Sequence, residues 1–136
     1  MRGGRSTTDS CGLASIFRDC KVVDLDKVRA QGKHADLLLF CGDTAVIIEE
    51  TSTLKIYDAE QIIQTSQDLR ARREAFRVAS DPRRVVGVVH QKRRASSIDI
   101  NYLHYVSKKW GFAILIANCC KDLIMKLGQQ LRIERR

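Results

Sequence analysis

Residues 33–55 read KHADLLLFCGDTAVIIEETSTLK, from Lys33 to Lys55, and the fold turns on how this stretch is read. It predicts a β-hairpin: a first arm Ala35–Phe40, a turn at Cys41-Gly42-Asp43-Thr44, and a second arm from Ala45 to Thr51. Both arms are apolar enough to be buried on two faces, as central strands are. Acids interrupt that pattern. Asp36 enters the first arm, and Glu49 and Glu50 end the second. Carboxylates are rarely buried unless something positive compensates them. Strand alternation puts Asp36, Leu38 and Phe40 on one face, and Ala45, Ile47, Glu49 and Thr51 on one face of the second arm, with Glu50 on the other. Pairing of the arms therefore brings Asp36 and Glu49 together at one end of a sheet. Two converging hard carboxylates there suit Mg²⁺ or Mn²⁺.

Outward from the hairpin, the pattern alternates strands with helices. Upstream, Met1 to Thr8 is a basic, Gly-rich flexible arm, and residues 9–136 form a single α/β domain. Asp9 or Ser10 caps a short helix through Phe17 and Arg18, and Lys21–Leu25 is a first strand. Downstream, Asp58 opens a helix with Gln61 as its capping-box partner, running to about Val78. Ser80-Asp81-Pro82 stops it. Arg84–His90 is a short β-branched strand in which Gly87 allows close backbone approach. Gln91–Ala95 is a basic loop. Ser96 or Ser97 caps a helix to Lys109 with Ile98, Tyr102, Tyr105 and Val106 inward. Phe112–Ala117 is another buried strand, and Lys121 to about Arg132 a last amphipathic helix. This order implies parallel strands in the second half, an antiparallel hairpin in the first, and helices on both faces of a mixed sheet.

The formal net charge is +8 over 136 residues, and it is unevenly placed. Residues 36–60 carry one basic and six acidic side chains, whereas residues 61–110 carry eleven basic and four acidic. An acidic island inside a basic chain is what a metal site acting on phosphates needs; ordinary surface charge is the competing reading. Arg70, Arg73 and Arg77 fall on one stripe at helical spacing. With Lys92, Arg93 and Arg94, and further Arg83, Arg84, Lys108 and Lys109, they make a phosphate-binding surface. Aromatics are few, which favours backbone contact with duplex or branched nucleic acid over base stacking. No run of about 18 apolar residues and no signal-peptide core is present, so the expectation is a soluble, intracellular, cytoplasmic protein without a membrane partner. Five cysteines without CxxC spacing read as buried free thiols, with one disulfide, such as Cys11 with Cys20, left open.

Residues His34-Ala35-Asp36 and Val46 to Ser52, in this order of elements, resemble the Asp motif and the hydrophobic-Glu-x-Lys motif of the PD-(D/E)XK nuclease superfamily. That superfamily includes restriction endonucleases, archaeal Holliday junction resolvases and RecB-type nucleases. The resemblance implies a three-layer restriction-endonuclease-like core: a helix, a three-stranded meander, a crossover helix and a further strand. It also implies that Asp36 and Glu49 hold Mg²⁺ or Mn²⁺, helped by the backbone carbonyl of Glu50, for hydrolysis of DNA. Gln61 and Gln64, early in the crossover helix, stand where many members place glutamines near the metal. One departure matters. The family's lysine position is Thr51, whose hydroxyl can hold a water but brings no charge. Lys55, or Lys33, is the candidate replacement. Two functions follow: a metal-dependent nuclease with Asp36, Glu49, Thr51 and Lys55 as its catalytic residues, or a catalytically inactive module of the same fold that binds nucleic acid or scaffolds a protein complex. DNA is expected over RNA, with a homodimer or protein partner compatible with either.

Overall fold

Alternating runs of Val, Ile and Leu build the sheet, and polar or Gly-containing junctions separate its strands. A computed structural model describes residues 9, 11–27, 34–76, 78, 82–93 and 97–134, without the side chains at 27, 73, 97, 98 and 132–134. The expected arm at 1–8 therefore lies outside the described residues, as do Ser10, Lys33, Arg77, Ser80, Asp81, Arg94 and Ser96. Among the described residues five strands, β1 (Lys21–Asp24), β2 (Leu37–Cys41), β3 (Thr44–Thr53), β4 (Arg84–Arg93) and β5 (Ile114–Ala117), form one sheet in the order of their numbers. β1, β2 and β3 are an antiparallel meander. β4 and β5 add in parallel. The hairpin closes through Gly42-Asp43, with Gly42 at φ 61°, a left-handed conformation open to glycine at little cost.

Among the described residues four helices cover the sheet: α1 (Leu13–Ile16), α2 (Ile56–Ala71), α3 (Ser97–Trp110) and α4 (Cys120–Glu134). Strand alternation sorts the core into two halves. Leu38, Ala45, Ile47, Val85 and Val89 pack against Ala59, Ile62 and Leu69 of α2 and Leu103 and Val106 of α3. Leu37, Leu39, Val46, Ile48, Val86 and Val88 pack against Leu13 of α1 and Leu123, Leu127 and Leu131 of α4. The result is a three-layer α/β architecture around a mixed five-stranded sheet. Among the described residues no helix is long and apolar enough to cross a membrane.

Several boundaries differ from the sequence reading. α2 begins at Ile56, not Asp58, with Lys55 at its N-cap. Asp58 sits at the third helical position and turns its carboxylate back to accept from the Lys55 N–H at 2.8 Å, so it satisfies an orphan donor without being the cap. α2 also ends early, at Ala71, and a 3₁₀ turn (Arg73–Phe76) follows. Arginines at 70, 73 and 77 would stack like charges three and four residues apart on a continued helix. The 3₁₀ turn delivers Phe76 to the core, where Val78 also packs. β4 continues through Gln91-Lys92-Arg93, expected as loop, because Thr51 and Thr53 of β3 extend to pair with it. Tyr105, expected inward, is 60% exposed; Leu103 takes the buried position.

The cysteines are also corrected. Cys11 joins Cys120 and Cys20 joins Cys41, leaving Cys119 free and exposed. The register pairing Lys21 with Phe40 sets Cys20 opposite Cys41, with a Cα–Cα distance of 4.3 Å. Sequence spacing alone, with no strand register, did not contain that pairing.

Candidate metal centre at the edge of the sheet

The parallel strands β3, β4 and β5 all end at one edge, where α2 starts, and open α/β sheets bind ligands at such edges. Asp36 stands immediately before β2, its N–H donating to the Ile48 carbonyl at 3.1 Å, so it faces Glu49 across the ladder. Its Oδ2 accepts from the Glu50 N–H at 2.8 Å. The residues before it are bolted to α2. Gln61 Nε2 donates to the His34 carbonyl at 2.7 Å, and the Ala35 N–H donates to Thr65 Oγ1 at 2.7 Å. These bonds fix the entry of Asp36 into the sheet.

Glu49 lies on the α2 side of β3 and is 6% exposed. Its Oε1 is buried with no hydrogen-bond partner among the described residues. Burial, then the carboxylates of Asp36 and Asp58, pushes its carboxyl up to about 10, so it is protonated at neutral pH. Burial also raises Asp36, although the Glu50 N–H opposes the shift. Asp58, itself 4% exposed, thus flanks Glu49 as Asp36 does, but the three carboxyl groups do not draw close enough together to share one ion. The sequence reading gave Asp58 a capping role only. The available signal was geometric: a helix starting at the strand end where Glu49 sits carries its first inward acid over that strand.

Gln91 was missed as well. It is 3% exposed, accepts from the Leu54 N–H at 3.0 Å through Oε1, and donates to Asn118 Oδ1 at 3.0 Å. It ties together the chain leaving β3, the end of β4 and the residue after β5. A polar residue inside a basic run carries no hint of such burial. The other expected residues divide. Thr51 is on the Glu49 face, and its hydroxyl donates to the Thr53 carbonyl at 3.3 Å. Lys55 is exposed at the same edge. Gln64 is exposed and donates to Asp68 at 3.2 Å, away from the acids, so only Gln61 of the two glutamines belongs to this region. The Glu50 side chain is on the opposite face, where its carboxylate meets His90 Nδ1 at 3.0 Å; only its backbone belongs to the acidic cluster.

The chain matches no protein-family model, no curated protein and no solved structure at a significant level.

Among the described residues, the basic side chains expected to bind phosphate stand in different places. Lys92 and Arg93 are exposed on the last two residues of β4, beside the acidic edge. Arg70 is exposed in the last turn of α2, about 20 Å away along a helix that rises about 1.5 Å per residue. The Arg73 side chain, Arg77 and Arg94 lie outside the described residues. Arg84 is bound to α4 through the Gln130 carbonyl at 3.2 Å and the Gln130 side chain, so its guanidinium is occupied.

Proposed function

We propose that the chain is a divalent-metal-dependent, nuclease-like protein that binds DNA in preference to RNA and cleaves it at the Asp36–Glu49 edge. The observation that carries this reading is Glu49: a buried carboxyl between two other carboxyl groups, with an oxygen that no donor satisfies. A scaffold gains no stability from such a group, because a carboxyl buried with an unsatisfied oxygen is destabilising. A hard cation would satisfy it, held by the carboxylates of Asp36 and Glu49 with the Glu50 carbonyl. When bound, Mg²⁺ or Mn²⁺ supplies Lewis-acid polarisation of a phosphodiester and lowers the pKa of an attacking water.

The chain's own residues would act as follows. The Glu50 N–H, the Gln61 bond to the His34 carbonyl and the Ala35 N–H bond to Thr65 hold Asp36 in orientation. Glu49 gives up its proton as a cation arrives, so affinity rises with pH. Lys92 and Arg93 attract phosphates to this edge, and Lys55 is a positive group at the same edge in the place of the family lysine. The element order α1, meander β1–β3, crossover α2 and parallel β4 agrees with the restriction-endonuclease-like core that the resemblance implies.

A second reading has its own observation. Thr51, at the family's lysine position, spends its hydroxyl on the Thr53 carbonyl. That favours a catalytically inactive module that still binds nucleic acid. Cleavage of linear, branched and single-stranded DNA and of RNA, each with Mg²⁺, Mn²⁺ or chelator, separates the two. The nuclease reading expects metal-dependent cleavage that falls to background in Asp36→Asn and Glu49→Gln, with folding retained. Nucleic-acid binding without cleavage, and activity gained in Thr51→Lys, would establish the inactive reading. Neither binding nor cleavage in any of these would remove both.

A further inference from the structure

On the face of the sheet turned away from Glu49, three side chains from distant parts of the chain meet. Cys11 precedes α1, His90 lies on β4, and Cys120 is the first residue of α4; one ligand atom of each lies within 4.8 Å of the other two. All three are half-buried. Cys11 and Cys120 are joined there as a disulfide across 109 residues of sequence. His90 directs Nδ1 at the Glu50 carboxylate, 3.0 Å away, so a neutral ring there donates from Nδ1 and keeps its lone pair on Nε2. A disulfide has no use for a histidine oriented in this way. A carboxylate holding one imidazole nitrogen so that the other is free is, however, the arrangement that orients a zinc-ligating histidine.

We propose that in the reduced chain Cys11, His90 and Cys120 hold a zinc ion, and that the Cys11–Cys120 disulfide is the oxidised, metal-free form of the same site. Two thiolates and an imidazole are a donor set that zinc prefers, whereas the carboxylates at Asp36 and Glu49 suit harder cations. The two faces of one sheet edge thus select different ions. Cys120 opens a fifteen-residue helix, whose N-terminus favours the thiolate. Three protein ligands leave the fourth position to water. Opening the site consumes a dithiol reductant. Its two sulfurs join as a disulfide, its two electrons and two protons convert the Cys11–Cys120 bond into two thiols, and zinc displaces both thiol protons to solvent.

The test uses the full chain, purified anaerobically with a dithiol and titrated with Co²⁺ as a spectroscopic probe and Zn²⁺ as competitor. Co²⁺ should bind with thiolate-to-cobalt charge-transfer absorption that saturates at one thiolate-bound ion per chain, and Zn²⁺ should displace it. The absorption should vanish in Cys11→Ser, Cys120→Ser and His90→Gln, persist in Cys119→Ser and in the Cys20→Ser/Cys41→Ser double variant, and be absent from the oxidised chain. Glu50→Gln should keep the absorption while weakening affinity about tenfold to a hundredfold. His90→Gln leaves both sulfurs in place, so it reports on the third ligand even where a cysteine variant fails to fold. A reduced, folded chain without charge-transfer absorption overturns the proposal. So does absorption that survives His90→Gln, or cobalt binding without a thiolate signature, which would belong to the carboxylates.

Discussion

Glu49 is protonated in the folded chain at a pH where an unfolded chain releases the proton: its carboxyl is pushed from 4.5 up to about 10. For a carboxyl raised on folding, the native state holds the extra proton between those two values. Stability is then fullest below the lower value and falls as pH rises through the window, by up to about 1.4 kcal/mol per pH unit. Replacing Glu49 with Gln removes that term. Metal-free Glu49→Gln should exceed the wild type in stability at pH 7 by on the order of 1–3 kcal/mol, with the gap widening toward pH 9, in urea denaturation with chelator present. An equal pH slope in both proteins would trace the titration to another group. Mn²⁺ should stabilise the wild type increasingly as pH rises, because the ion must displace the Glu49 proton, and should leave Glu49→Gln unmoved. Asp36 and Glu49 were legible in the sequence because each interrupts an otherwise apolar strand and alternation fixes its face. Asp58 and Gln91 were not, since their burial depends on where a helix start and a strand end land in space.

At the scale of elements, the contact of α2 with β4 sets how closely the lid of the acidic cluster lies on the sheet. Gly87 makes that approach possible. A methyl group there would lie 2.8 Å from Ile62 Cγ2 and 3.3 Å from Ile114 Cγ1, and Ile62 is fully buried. Gly87→Ala should therefore cost about 1–3 kcal/mol, typical of an overpacked core, despite alanine's better strand propensity. Ile62→Leu removes the branch at Cβ at conserved volume, so the double variant should recover part of that loss in a mutant cycle. Additive losses would show that α2 shifts bodily instead of colliding at this one contact. The sequence reading anticipated a close approach at Gly87 and the hairpin turn at Gly42, because a glycine within a β-branched run and a Gly-Asp pair are local signals. The extension of β4 into Gln91–Arg93 follows from the length of its partner strand, which no local signal carries.

For the whole molecule, the sequence displayed an acidic island in a basic chain, and the topology decides which basic residues share its edge. α2 and α3 both start at the ends of strands whose parallel successors begin at the far edge, so each helix runs back across the sheet. They carry Arg70, Lys108 and Lys109 away from Asp36 and Glu49, while Lys92 and Arg93 stay beside them. Helical spacing made Arg70 look like part of a binding stripe; the helix ends at Ala71 and sets Arg70 at the end away from the acids. Electrostatic attraction of a phosphate backbone falls off within a Debye length of about 10 Å at 0.1 M salt, so cations roughly 20 Å from the acidic edge contribute little to binding there. Replacing Lys92 and Arg93 with alanine should thus weaken duplex DNA binding and flatten the log–log dependence of affinity on salt by roughly 0.9 for each phosphate no longer neutralised. Arg70→Ala should change neither. The measurement is a salt titration of affinity for wild type, the Lys92→Ala/Arg93→Ala double variant and Arg70→Ala, with Ca²⁺ in place of Mg²⁺ to limit cleavage. If Arg70→Ala flattens the slope and the double variant does not, DNA lies along the outer face of α2 and the acidic edge is not where it is bound.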